Sequence, residues 1–226
     1  MIKVLNVLCE GLSEQQFVAK VLRPYLLPHG IIANPTLLIT NKRLNARGGM
    51  IDYNQVKRDL GNLIKSSRDT DYQKHYFTTM FDLYALPNDF PGSDQPFADC
   101  YIHVDNIEKA FAADINHYRF IPYIELHEFE TLVLCDLEKV IEEYPLAKKQ
   151  IVALDASWRK EFGDNAELVN TSYETAPSKR IIKALGDLYS YNKPKMAALT
   201  TNHIGIDALR GLCKHFDQWI SKILNI

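Results

Sequence analysis

The sequence predicts an α/β fold, a largely parallel sheet flanked by helices with a helical C-terminal part, and three observations carry that prediction. Short apolar runs alternate with stretches of helical period as far as residue 126, the pattern of βαβ units. The opening run passes through one glycine straight into an amphipathic stretch. Beyond residue 126 only helical periodicity remains.

The first run, IKVLNVLC (2–9), is short, rich in Val, Ile and Leu, and bounded by Glu10-Gly11, which fits a buried strand. Ser13 with Gln16 three residues on reads as a helix cap, and Phe17, Val18, Val21, Leu22 and Tyr25 follow at helical spacing. TLLIT (36–40) reads as a second strand, and YNQVKRDLGNLIKSS (53–67) as a helix with Val56, Leu60, Leu63 and Ile64 on one face. HYFTTMFDLY (75–84) is a third strand that ends at Asp82, and the proline-rich ALPNDFPGSDQPFADC after it is loop. NIEKAFAADIN is helical, and RFIPYIEL (119–126) is a fourth strand in which Pro122 is awkward for a central position. Helical period then covers EFETLVLCDLEKVIEEY, roughly 178–190, and 206–224. The expected division is an α/β core over 1–135 and a helical region over 136–226 packed on it.

A chain of 226 residues, 46% hydrophobic and 24% charged, buries a sizeable core and is not disordered. Its net charge of −2 supplies no bulk positive field, so a nucleic-acid partner must be held by local patches or through a metal that offsets carboxylates. Cys9, Cys100, Cys135 and Cys213 form no C-x-x-C pair and read as reduced thiols of a cytoplasmic protein. No apolar run approaches the roughly 18 residues of a membrane span, and Met1 leads directly into the first strand, so neither membrane insertion nor export is expected. Neither G-x-x-x-x-G-K-[ST] nor G-x-G-x-x-G occurs, which leaves no evident loop for ATP or a dinucleotide.

Ligands of a parallel sheet gather at the carboxyl ends of its strands. Glu10, Asp82 and the group Glu125, His127, Glu128 and Glu130 all fall at predicted strand ends, and Glu14 lies in the first turn after Glu10. Converging carboxylates repel unless they protonate, disperse or share a cation, and an oxygen-rich set without cysteine suits Mg²⁺ or Mn²⁺. Each residue also has an ordinary reading. Glu14 would stabilise a helix N-terminus, Asp82 would be a turn residue, and HEFE would be a solvated helix start. HEFET lacks the second histidine of H-E-x-x-H, having Thr131 there, so a zinc protease is not expected. Basic residues form three groups: Lys42, Arg43 and Arg47; Lys179 and Arg180; Lys193 and Lys195. TAPSKRI puts Lys179 and Arg180 in a helix's first turn, where the macrodipole disfavours cations, so a compensating anion such as phosphate is expected beside them. His29, His75, His103, His117, His203 and His215 show no partner at metal spacing and read as surface or packing residues.

Six ordered motifs, CEGLSEQQFVAKVLRPYL, TTMFDLYALPNDFPG, RFIPYIELHEFETLVL, ETAPSKRI, YNKPK and IGIDALRGLCKHFDQWI, resemble the bacterial domain of unknown function 4276, a Toprim-related family, over nearly the whole chain. The resemblance implies a Toprim-like core, the Mg²⁺-binding domain shared by topoisomerases, primases and the overcoming-lysogenisation-defect nucleases. By position, Glu10 resembles the first glutamate of that domain, Glu14 the second acidic residue of the nuclease-type turn, and Asp82 the first aspartate of its D-x-D. The second aspartate position holds Tyr84, so Glu128 or Glu130 would have to replace that ligand. The resemblance also implies a separately encoded ATPase partner in a defence complex.

Two functional expectations follow. In the first, Glu10, Asp82 and one or more of Glu14, Glu128 and Glu130 hold Mg²⁺ or Mn²⁺ for phosphodiester hydrolysis, His127 serves as general acid or base, and Lys179, Arg180 and Lys195 neutralise phosphate. In the second, the chain is a scaffold that binds nucleic acid or the ATPase without cutting.

Overall fold

The computed structural model describes residues 1–41, 46–47, 50–94, 99–169 and 173–226, and of residues 40, 41, 46, 47 and 173 the backbone alone. The expectations for Lys42 and Arg43 lie outside the described residues, as does that for the side chain of Arg47.

Strand β1 (Ile2–Cys9) leads through Gly11 into α1, which runs Leu12–Phe17, continues through a π-turn at Val18–Leu22 and ends with Arg23–Leu26. Next come β2 (Ile31–Leu37), the short antiparallel pair β3 (Ile39–Asn41) and β4 (Ala46–Arg47), α2 (Tyr53–Ser66) and β5 (Gln73–Asp82). Helix α3 (Cys100–Ile115) precedes two short strands, β6 (Phe120–Ile121) and β7 (Ile124–Glu125). The remainder is helical: α4 (Glu130–Leu134), α5 (Glu138–Glu143), α6 (Lys148–Phe162), α7 (Pro177–Leu185), α8 (Lys193–Ile204), α9 (Ile206–Leu212) and α10 (Lys214–Leu224).

The main sheet has the order β2-β1-β5-β6, with β7 also on β5, and every pairing in it is parallel. Alternation along the central strands sends Leu5, Val7, Cys9 and Met80 to one face, with α1 and the C-terminal helices. Leu8, Phe77 and Phe81 go to the other, under α2 and α3. Sheet strands buried on both faces read as unbroken apolar runs, which is why β1 was legible.

Where the observed elements differ from the expected ones, backbone chemistry explains it. The second strand begins at Ile31 and contains Pro35, which an edge strand paired only with β1 tolerates. The fourth strand is split at Pro122. Across the break, the Tyr123 N–H donates to Thr79 Oγ1 and the Thr79 hydroxyl donates to the Tyr123 carbonyl, both at 3.0 Å, so one side chain replaces the lost ladder. The cap of α1 is Gly11 rather than Ser13, and Glu14 rather than Gln16 folds back onto it. The helix expected over 206–224 breaks at Cys213, whose backbone is extended.

Helix α10 fastens the C-terminal helices to the sheet. Trp219 stacks on Tyr123 at 4.2 Å between centroids and 10° between planes, and its indole N–H donates to buried Thr78 Oγ1 at 2.9 Å. Trp219→Ala is expected to lower unfolding free energy by about 3–5 kcal/mol, measured by urea denaturation. A loss below about 1 kcal/mol would show that α10 is not part of the cooperative core.

Candidate metal centre

The carboxyl ends of β1 and β5 and the turn after β7 converge, and each delivers acidic side chains there. Glu10 follows β1, Glu14 lies in the first turn of α1, Asp82 ends β5, and Glu128 and Glu130 follow β7. The turn after β7 is sharp because His127 takes the left-handed conformation, with φ 69°.

Most of these carboxylates fasten the backbone with one oxygen. The Gly11 N–H donates to Glu14 Oε2 at 2.7 Å, an approach that leaves little room for a side chain: a Cβ on Gly11 would lie 3.1 Å from that oxygen. The Asp82 N–H donates to Glu10 Oε2 at 3.0 Å, which ties β5 to the end of β1. Asp82 Oδ1 in turn accepts the Phe129 N–H at 2.9 Å, which ties in the turn after β7. Among the described residues, the second oxygens of Glu10 and Asp82 accept no hydrogen bond, and Glu130 Oε1 is buried without a partner.

The cation beside them is Lys193, the first residue of α8, with Nζ 3.1 Å from Glu130 Oε2 and 3.3 Å from Glu128 Oε2. Helix α8 packs against α1, which brings YNKPK to the acidic turn. Lys195, the expected cation of that motif, pairs with Glu143 instead. Alternation of helix faces around Pro194 separates the two lysines, and only the packing of α8 on α1 decides which one turns inward.

Glu128 answers the question posed by TAPSKRI. Its Oε1 accepts the Ser178 N–H at 2.5 Å and its Oε2 the Ser178 hydroxyl at 2.9 Å, so the anion at the N-terminus of α7 is this buried carboxylate. A phosphate is not needed there. Arg180 donates to the Thr175 carbonyl at 2.7 Å and lies 3.6 Å from Glu161. Lys179 lines a groove between α6 and α7 that none of the five cluster carboxylates, Glu10, Glu14, Asp82, Glu128 and Glu130, enters.

Burial and mutual repulsion shift the cluster's titration. Burial is the main cause that raises Glu10 and Glu14 from 4.5 to about 7, with Glu128 adding to the first and Glu10 to the second. Burial likewise raises Glu130 to about 7, against the pull of Lys193, and pushes Asp82 well up, aided by Glu10 and Glu14. Glu125 stands apart at the base, fully buried, with one oxygen accepting the Tyr123 hydroxyl at 2.8 Å.

His127 is not solvated either. A carbonyl can only accept, so the 2.9 Å contact to the Glu167 oxygen places the ring hydrogen on Nε2. Burial lowers its pKa, so the ring is neutral near pH 7 and its one N–H is committed. An acid role through Nε2 is thereby closed off.

Within the described residues, the side chains whose ligand atoms lie within 4.8 Å of one another in a group of three or more are Asp136, Glu138 and His203, at the surface and away from the strand ends. Sequence spacing gives His203 no partner at metal spacing; the fold supplies two from 65 and 67 positions away, with Glu138 Oε2 at 3.0 Å. The strand-end carboxylates are more widely spread than this.

A family profile described as Domain of unknown function (DUF4276) matches residues 9–224. No curated protein and no solved structure matches the chain. No helix among the described residues is long and apolar enough to cross a membrane.

In the metal-free protein, Glu10, Glu14 and Glu130 keep a proton up to about pH 7 in the folded chain but lose it near 4.5 when unfolded. The folded state therefore binds more protons across that window, and stability falls as pH rises through it. The expected melting temperature without metal is lower at about pH 7.5 than at about pH 5.5, with a shallower dependence in Glu14→Gln. A melting temperature that rises over this range would contradict the shifts.

Proposed function

The chain belongs to the DUF4276 family, and from that premise we propose that it is a metal-dependent nuclease of Toprim type whose Mg²⁺ or Mn²⁺ is held by Glu10, Glu14, Asp82 and Glu130. The observation that carries the reading is the set of carboxylate oxygens left without hydrogen bonds at the ends of β1 and β5 and in the turn after β7. In donor chemistry the set suits the ion, being all oxygen and including the buried unpartnered Glu130 Oε1, and a divalent cation would relieve its repulsion by drawing the carboxylates closer than they stand here. When bound, the ion would polarise a phosphodiester and activate water.

The chain's own residues do the rest. Bonds from the Asp82, Gly11 and Phe129 N–H groups hold one oxygen of Glu10, Glu14 and Asp82 still, and Glu10 and Asp82 keep the other to bind. Glu128, with both oxygens engaged, aligns α7 and Lys193. Lys193 Nζ, at the edge of the cluster, is the cation placed to meet a phosphate oxygen. Glu10 and Asp82 are only partly buried, which gives substrate an approach.

A second reading is favoured by the same lysine. Lys193 already neutralises Glu128 and Glu130, and Tyr84 stands at the second aspartate position, so the cluster can serve as a structural clasp in a scaffold for nucleic acid or a partner ATPase.

Calorimetry with Mn²⁺ on the wild type, Glu10→Gln and Asp82→Asn, alongside labelled single- and double-stranded DNA and RNA, separates the two. The nuclease reading expects binding weakened at least about tenfold, or ~1.4 kcal/mol, in both variants, with cleavage lost in parallel. A wild type that binds no metal and cuts nothing, alone or with an ATPase, leaves the scaffold.

A further inference from the structure

Helix α8 carries a second ionisable cluster at the end away from Lys193. Asp136 and Glu138 stand at the entrance to α5, and the last turn of α8 brings His203 to them. His203 Nε2 lies 3.0 Å from Glu138 Oε2 and 3.7 Å from Asp136 Oδ2, and one ligand atom of each residue falls within 4.8 Å of the other two. His203 stands ten positions after Lys193, about 15 Å along the helix at about 1.5 Å per residue, so this cluster is distinct from the strand-end carboxylates.

Ordinary side-chain pairing leaves this arrangement incomplete. An imidazole carries at most one hydrogen on Nε2, so His203 can donate to Glu138 but not also to Asp136, whose Oδ2 at 3.7 Å stays outside hydrogen-bond distance. Two carboxylates are then left facing each other across one hydrogen. Asp136 is not free to turn away, because its Oδ1 accepts the Glu138 N–H at 2.8 Å and so holds Oδ2 towards the ring. Lys139, the cation next in the chain, pairs with Glu142, its Nζ 2.7 Å from Oε2.

One imidazole nitrogen and two carboxylate oxygens, brought together from distant parts of the chain, make a transition-metal donor set. Bonds of about 2.0–2.1 Å in a tetrahedron put ligand atoms about 3.3 Å apart, so the two Nε2 separations need to change by only about 0.3–0.4 Å. The nitrogen favours Zn²⁺ and its borderline neighbours over Mg²⁺ and Ca²⁺, which take oxygen. With 32%, 41% and 58% of their side chains exposed, His203, Asp136 and Glu138 leave the fourth position to water. We propose that Asp136, Glu138 and His203 bind Zn²⁺ or a similar borderline divalent ion. The ion takes the place of the hydrogen on Nε2, and the neutral ring carries its hydrogen on Nδ1 instead. Because α8 packs on α4 and α5 and begins with Lys193, the ion fastens the far end of the helix that presents that lysine to Glu130. The proposal does not rest on the nuclease reading.

The test is Zn²⁺ calorimetry on the full chain as wild type and as the double variant Glu10→Gln/Asp82→Asn, whose strand-end cluster has lost two carboxylates, each with and without His203→Gln. The double variant is expected to bind one Zn²⁺ that excess Mg²⁺ does not displace, and His203→Gln to weaken that binding at least about tenfold in either background. In the wild type Zn²⁺ should raise the melting temperature and move the ¹⁵N resonance of His203 Nε2, leaving the hydrogen on Nδ1. His203 is at the surface, so His203→Gln without metal should melt within about 3 °C of the wild type. Zn²⁺ affinity unchanged by His203→Gln, no Zn²⁺ binding by a double variant that melts like the wild type, or a wild type whose melting and imidazole resonances ignore Zn²⁺ would each overturn the proposal and leave a surface ion pair. Zn²⁺ held through His203 by a protein that takes no Mn²⁺ at its strand ends and cuts nothing would instead sink the nuclease reading and leave this one standing.

Discussion

The constraint on which this structure turns is the burial of like charge at one end of a parallel sheet. Five carboxylates, Glu10, Glu14, Asp82, Glu128 and Glu130, are brought together at the carboxyl ends of the strands. Removing an unpaired carboxylate from water costs several kcal/mol, so such a group persists only with hydrogen bonds, protons or cations to answer it. The chain supplies all three. Backbone N–H groups serve Glu10, Glu14, Asp82 and Glu128, raised proton affinity serves Glu10, Glu14 and Glu130, and Lys193 spans Glu128 and Glu130.

Those bonds also organise the fold around the site. A line of contacts runs from the end of β1 through Glu10 to β5, through Asp82 to the turn after β7, and through Glu128 to the start of α7. Lys193 continues it to α8, which packs back on α1. The C-terminal helices are therefore part of the site's construction as well as a cover for one face of the sheet. On the opposite face, Glu108 of α3 accepts the Ile124 N–H at 2.9 Å and lies 3.1 Å from His215 of α10, so a second buried charge braces β7 from outside the sheet. The family match over 9–224 takes in these elements from the end of β1 onward, core and helical region alike.

Much was legible from local pattern. β1, α2, β5 and α3 follow from apolar runs and helical spacing, and the acidic residues were found because strand ends are where a parallel sheet presents side chains. Where the reading went astray, a distant partner had overridden a local rule. Pro122 splits a strand without destroying its line because Thr79, 44 residues away, bonds across the gap. The cation-unfriendly start of α7 is answered by Glu128, 50 residues earlier, where local reasoning looked for a phosphate. The cap of α1 is the local exception: Ser13 is a good capping residue by type, yet the chain caps at Gly11, since Glu14, three residues on, folds onto an N–H whose residue carries no side chain.

The sequence by itself determined the α/β class, the parallel sheet, the helical C-terminal part and the presence of acidic residues at its strand ends, because each is encoded in the spacing of neighbouring residues. Only the tertiary structure decided which charges meet. It chose Lys193 over Lys195, turned Glu128 into a helix cap, committed the Nε2 hydrogen of His127 to Glu167, and paired His203 with Asp136 and Glu138. These are contacts between residues 40 to 67 positions apart, and helical or strand periodicity carries no information about which distant face a side chain will find.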